Sequence, residues 1–167
     1  MLVNACHRTF VCNGGRSISV FFAIANKMVE AYLGTWEYQH QCSDEDKVPF
    51  LDALCVPREL QEKVMHSRIH MELTAGQSSL TSRLETKGGE LIQENHLEIG
   101  KTTAMKTPDG SDALGSYKLE NGKFEGSVKA DDVEFKSIME INGDQLIVTY
   151  EISAMDVMTI ARFKKIS

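Results

Sequence analysis

From His66 to the last residue the chain falls into short alternating segments separated by turn residues, and no other feature narrows the possible folds as much. The segments are "IHMELT", "LTSRLET", "ELIQENHLE", "GSYKLE", "KFEGSVK", "VEFKSIMEI", "QLIVTYEI" and "MTIARFKKI". Between them stand Ala75-Gly76, Gly88-Gly89, Pro108-Asp109-Gly110, Asn121-Gly122, Ala130-Asp131-Asp132 and Asn142-Gly143. A period of two puts apolar and polar side chains on opposite faces of a strand. Asn-Gly between such segments signals a tight hairpin, because both turn residues must take positive φ. The pattern predicts an antiparallel meander. Residues 90–106 are too long for one ordinary strand, so a bend near His96 to Gly100 divides them, giving about ten strands in all.

One strand precedes the meander, about Tyr32 to Gln41, in which Trp36, Tyr38 and His40 alternate with polar partners. A helical insert follows. Ser43 is a good N-cap, and Asp44, Glu45 and Asp46 suit the positive end of a helix dipole. Pro49 is tolerated only near a helix start, which predicts a short helix over Val48 to Leu54. Pro57 opens a second helix, "PRELQEKVM", with Leu60 and Val64 on one face. So many strands with no second layer to cover them protect their edges by closing. A barrel of ten strands is wider than its own side chains fill, leaving a cavity, and the two helices after the first strand are placed to act as its lid. The expected fold class is all-β, a ten-stranded antiparallel up-and-down barrel.

The sequence has 18 basic and 24 acidic residues, a net charge of -6, and no concentrated basic face for phosphate, so no nucleic-acid partner is expected. Residues 1–27 differ from the rest: they hold Arg8, Arg16 and Lys27 and no acid. Arg16 precedes an apolar run from Ile18 that ends in Ala23-Ile24-Ala25, the small-x-small form of a signal cleavage site, yet the polar lead-in is long. The segment reads as an N-terminal extension ahead of a domain at 28–167: a cleaved signal peptide, a mitochondrial-type transit segment, though poorly amphipathic, or an unstructured or non-native leader. No run reaches the ~18 apolar residues of a membrane-spanning helix. Cys6, Cys12, Cys42 and Cys55 form neither C-x-x-C nor a zinc spacing, and Cys42 and Cys55 are either two partly buried thiols or a disulfide.

"MVEAYLGTWEY" at residues 28–38 resembles the amino terminus of the intracellular fatty-acid-binding proteins, the group that includes the cellular retinoid-binding proteins. The resemblance continues through "FLDALCV", "ELIQENHLEIGKTT", "YKLENGK" and "IMEINGDQLIVTYE", and it spans residues 28–167. It implies a ten-stranded barrel carrying a fatty acid or similar lipid in its lumen, with no catalysis. It also implies a monomer working in the cytoplasm, for which transient contact with a membrane is compatible. Secretion is the alternative if residues 1–25 are a signal peptide.

Many members of that family hold a ligand carboxylate with two arginines and a tyrosine, since an ionised group inside a barrel must be paired. Here the resemblance places Met139 at the first arginine. On the last strand Arg162 and Phe163 are adjacent, so the Arg-x-Tyr spacing is broken. If Phe163 takes the tyrosine position, Ala161 takes that of the arginine, and Arg162 points away; a one-residue shift would turn Arg162 inward as an anion partner. The ligand is then neutral or differently anchored. Family position and strand alternation give Leu51, Val56, Leu91, Phe135, Ser137, Met139, Val148, Tyr150, Ala161 and Phe163 as the ligand-binding lining.

No catalytic residue, metal or cofactor is expected. His66 and His70, taken as strand residues four apart, are separated by about 13 Å, too far for one metal ion. No G-x-S-x-G, H-E-x-x-H or phosphate-binding loop occurs. The reading from another class is a barrel with a filled cavity, acting as an interaction or protective protein.

Overall fold

The computed structural model describes residues 29–39, 44–76, 79–107 and 109–167. Strand β1 (Gly34–Tyr38) is followed by helices α1 (Asp44–Ala53) and α2 (Arg58–His66). Nine strands come next: β2 (Ile69–Ala75), β3 (Ser79–Thr86), β4 (Leu91–Glu98), β5 (Thr102–Lys106), β6 (Asp112–Glu120), β7 (Lys123–Ala130), β8 (Val133–Asn142), β9 (Gln145–Ile152) and β10 (Val157–Lys165). All pairings are antiparallel, in the order β4-β3-β2-β1-β10-β9-β8-β7-β6-β5. Because β1 pairs with β10, Tyr38 opposite Phe163, the meander returns on itself and only the β4/β5 seam lacks a backbone ladder. The long stretch 90–106 does divide, at Ile99 to Lys101.

Several local expectations change. The first strand is shorter than Tyr32 to Gln41, because Tyr32 N–H is already committed to the Val29 carbonyl in a turn. Helix α1 begins at Asp44 and keeps Pro49 inside it, so the proline does not mark the first turn. His66 ends α2, a helical rather than a strand position. At Asn121-Gly122 both residues take positive φ, 51° and 81°. At the β8–β9 hairpin Asn142 stays in the strand opposite Gln145, and Gly143 (φ 64°) leads a Gly-first loop with Asp144. The N-terminal segment, Ser43 and Cys42, with its pairing to Cys55, lie outside the described residues.

Helix α1 ends in a Schellman motif. Val56 N–H donates to the Leu51 carbonyl (3.0 Å) and Cys55 N–H to that of Asp52 (2.9 Å). Cys55 therefore occupies the left-handed position, φ 54°, where glycine carries no Cβ penalty. Cys55→Gly is expected to raise stability by about 1 kcal/mol in reducing buffer, read as a shifted urea midpoint. A lower midpoint would show that the thiol makes a contact worth more than the strain.

The core has two clusters: a smaller one joins Phe50 of α1 to Ala113, Val128, Phe135 and Ile152, and a larger one is built on β1 and its neighbours with Val64 of α2 packed against it. Tyr32, Trp36, Leu73, Leu80, Phe124, Leu146 and Val148 are fully buried there. Trp36 donates its indole N–H to the Tyr32 carbonyl at 2.8 Å, satisfying the buried polar atom of this ring.

Candidate functional site

Inward-facing residues of β8, β9 and β10 form the far wall of a cavity of about 210 Å³. Pairings across the wall are Ser137 with Tyr150, Met139 with Val148, Thr159 with Tyr150, and Ala161 with Val148. Phe135, Ser137, Met139, Val148, Tyr150, Ala161 and Phe163 all line the cavity, as do Leu51 and Val56 from the helical insert. At roughly 10–15 Å³ per water on this measure, there is room for more than a dozen waters' worth of ligand. Met139, Ala161 and Phe163 offer the cavity no charge and no side-chain hydrogen-bond donor. Arg162 alternates out of the lining; it is half-buried, sits opposite Ile147, and its carbonyl accepts Gln39 N–H at 2.8 Å.

Leu91 is a correction. It is 48% exposed and does not line the cavity, whereas Ile92 and Gln93 do. The reason is a bulge: Leu84 pairs with Gln93 and Glu85 with Leu91, leaving Ile92 unpaired. An extra residue reverses the in-out phase of the strand, which simple alternation does not register.

The lining carries several polar groups as well. Tyr117 lies across Gly126, where an added Cβ would meet its ring at 2.3 Å, so the glycine makes room for the phenol. Ser137 Oγ and Tyr117 OH are 3.4 Å apart. Burial pushes the Tyr117 phenol up from its ordinary value, with the Ser137 contact opposing. Tyr150 is also pushed up, by burial and then by the phenols of Tyr117 and Tyr38. Both hydroxyls therefore stay protonated and able to donate. Thr159, 7% exposed, has a buried hydroxyl with no hydrogen-bond partner among the described residues. An unmade hydrogen bond of this kind costs about 1–3 kcal/mol, which a polar group of a ligand would recover.

Side chains bridge the β4/β5 seam. Asn95, 9% exposed, donates through Nδ2 to the Lys106 carbonyl (3.2 Å) and accepts Lys106 N–H at Oδ1 (3.0 Å). One amide thus imitates a rung of the missing ladder, joined by Gln93 Nε2 on the same carbonyl and by Thr103 Oγ1, which accepts Glu98 N–H. Asn95→Leu is expected to cost about 2 kcal/mol by stranding the Lys106 N–H and leaving its carbonyl to Gln93 alone. Hydrogen exchange should then accelerate at the Lys106 amide and not in the β8–β9 hairpin; uniform acceleration would contradict the clasp.

The lid is a unit held to the barrel by aromatic contacts. Phe50 on α1 meets Phe135 edge-on at 5.9 Å and Tyr150 at 5.3 Å. Buried Gln61 on α2 ties the helix joint, donating to Val56 O (2.8 Å) and Asp52 Oδ1 (2.9 Å) and accepting from Arg58. Lys47 on α1 is buried with its ammonium 4.8 Å from the Tyr38 ring centroid, and it lines the cavity. Sequence reasoning missed Lys47, Phe50, Tyr38, Asn95, Tyr117 and Thr159. Thr159 was within reach by stepping back two residues from Ala161. Lys47 was not, because α1 has no clean apolar face in sequence.

Among the described residues no group of three His, Cys, Asp or Glu side chains could hold a metal ion, and His70 instead faces Glu37 at 3.7 Å. No helix among them is long and apolar enough to cross a membrane.

No family model matches the chain. Gastrotropin of Rattus norvegicus is 29% identical over 135 residues, covering 81% of this chain and 97% of the relative. Fatty-acid-binding protein 1 of Echinococcus granulosus shares the fold with a TM-score of 0.71 at 19% identity, covering 83% of this chain and 99% of its own. The Schistosoma mansoni fatty acid binding protein, solved with arachidonic acid, also gives 0.71, at 17% identity over 84% of this chain and 99% of its own. Likeness of sequence along the barrel to gastrotropin, together with the ten-stranded, two-helix architecture shared with the fatty-acid-binding proteins, makes the chain similar to that family in sequence and alike in fold.

Proposed function

We propose that the protein is a non-enzymatic carrier that encloses a hydrophobic ligand, a fatty acid or related lipid, in the barrel lumen beneath the two helices. The observation behind this reading is the lidded cavity, with mainly apolar walls and no carboxylate clamp at Met139, Ala161 and Phe163. Each buried methylene contributes about 0.8 kcal/mol, so a long acyl chain gains ample affinity without a charged clamp. Thr159, Ser137 and Tyr117 can pair an uncharged hydroxyl or carbonyl on the ligand. The Schistosoma protein's arachidonic acid complex supports a lipid as the ligand class. Exchange proceeds by opening of the lid, which α1 and α2 do as one body.

Native mass spectrometry of the purified protein, before and after organic extraction, tests the reading. A defined lipid adduct that extraction removes is the expected result. A protein that carries none, and that also ignores fatty-acid and retinol fluorescent probes, would instead be the interaction barrel. The same reading has the carrier working as a monomer in the cytoplasm. N-terminal sequencing of the natural protein tests the compartment, Met28 agreeing and Asn26 pointing to secretion.

A further inference from the structure

Two lysines line the cavity, and their circumstances differ. Lys106 is exposed and its ammonium is 2.6 Å from Asp112 Oδ1. Lys47 is 7% exposed, and from residue 47 onward no described carboxylate forms an ion pair with it. Burying an ammonium group away from any anion is strongly unfavourable, and a cation–π contact with a tyrosine ring recovers only part of that. The ring in question, Tyr38, packs edge-on against Phe163 with centroids 5.3 Å apart. Lys47 therefore stands one ring away from the position where the family clamp has its tyrosine. Lys47 thus sets a positive charge on the lid helix beside the Tyr38–Phe163 pair.

We infer that Lys47 is the anchor for an acidic head group, so that the ligand is a long-chain carboxylate whose acid lies under α1 and whose tail runs down the wall formed by Phe163, Ala161, Val148 and Met139. The inference rests on the carrier reading. It predicts a ligand seated with its head at the lid, paired by one charge-assisted hydrogen bond, with binding completed only when the helices close. The remaining ionisable groups facing this space are the phenols of Tyr38, Tyr117 and Tyr150, none of which carries charge at neutral pH.

The test compares hexadecanoate with hexadecanol, which share the chain and differ in the head. The wild-type protein should favour the acid by roughly ten- to a hundredfold. Lys47→Met, which keeps the apolar stem and removes the charge, should erase that preference by weakening the acid at least about tenfold more than the alcohol, and Lys47→Arg should retain it. An acid preference that survives in Lys47→Met, or an equal loss for both ligands, overturns the anchor. Failure of either ligand to bind wild type would instead overturn the carrier reading. A measurement on the wild-type complex covers the case where Lys47→Met does not fold. The carboxyl of bound ¹³C-labelled hexadecanoate should titrate below its value in water if an ammonium faces it, and above it if the acid sits in an apolar lumen alone.

Discussion

Alanine at Tyr32 is expected to lower the stability of the folded chain by about 4 kcal/mol. The side chain is 1% exposed and belongs to the larger core cluster, with Trp36, Leu73, Phe124 and Leu146. Its ring meets Phe124 edge-on at 4.8 Å. Its hydroxyl lies 2.6 Å from the Gly122 carbonyl and 3.0 Å from that of Met139, so one proton is shared between the β6–β7 hairpin and β8. Burial pushes this phenol up to about 12, as expected of a group that cannot ionise where it sits. Truncation therefore removes a large apolar contact and two cross-barrel tethers together. Tyr32→Phe separates the parts, and should cost about 1–2 kcal/mol from the hydroxyl alone. Urea unfolding of the three proteins decides it; a loss below about 1 kcal/mol for the alanine form would mean that the larger cluster does not depend on this ring.

Tryptophan at Ala161 should abolish lipid uptake while sparing the fold. Ala161 lines the cavity opposite Val148 and packs against the core on one side only, leaving its Cβ half-buried beside open space. Overfilling a packed core costs about 1–3 kcal/mol, but here the indole enters an existing hollow, so the thermal midpoint should hold or rise. Fatty-acid titration and native mass spectrometry should show at least a hundredfold weaker binding. A variant that binds normally would place the ligand elsewhere, and one that unfolds would mean that the wall is already packed. Tyr32→Ala and Ala161→Trp thus act in opposite directions, on the packed core and on the cavity.

The barrel was legible because its evidence is local. Asn121-Gly122 fixes a hairpin through the φ values of two residues, and the period of two in "KFEGSVK" fixes which side chains face inward, before any distant contact forms. The same periodicity carried Phe135, Ser137 and Met139 into the lining. Where local order is interrupted, the reading fails. The bulge at Ile92 shifts the phase of β4, and Leu91 turns to solvent. Pro49 stays inside α1, since the helix loses one hydrogen bond and is held by Phe50 docking on Phe135 and Tyr150.

By itself, then, the order of residues determined the number of strands, their succession and the helical pair after the first strand, all of which follow from neighbours along the chain. What the closed tertiary structure alone decided is who meets whom across it: Asn95 with Lys106 over the seam, Tyr117 against Gly126, the buried hydroxyl of Thr159, and Lys47 brought to Tyr38. Those contacts join residues far apart in sequence, and their chemistry depends on water being excluded, a condition that exists only once the sheet has returned to its first strand.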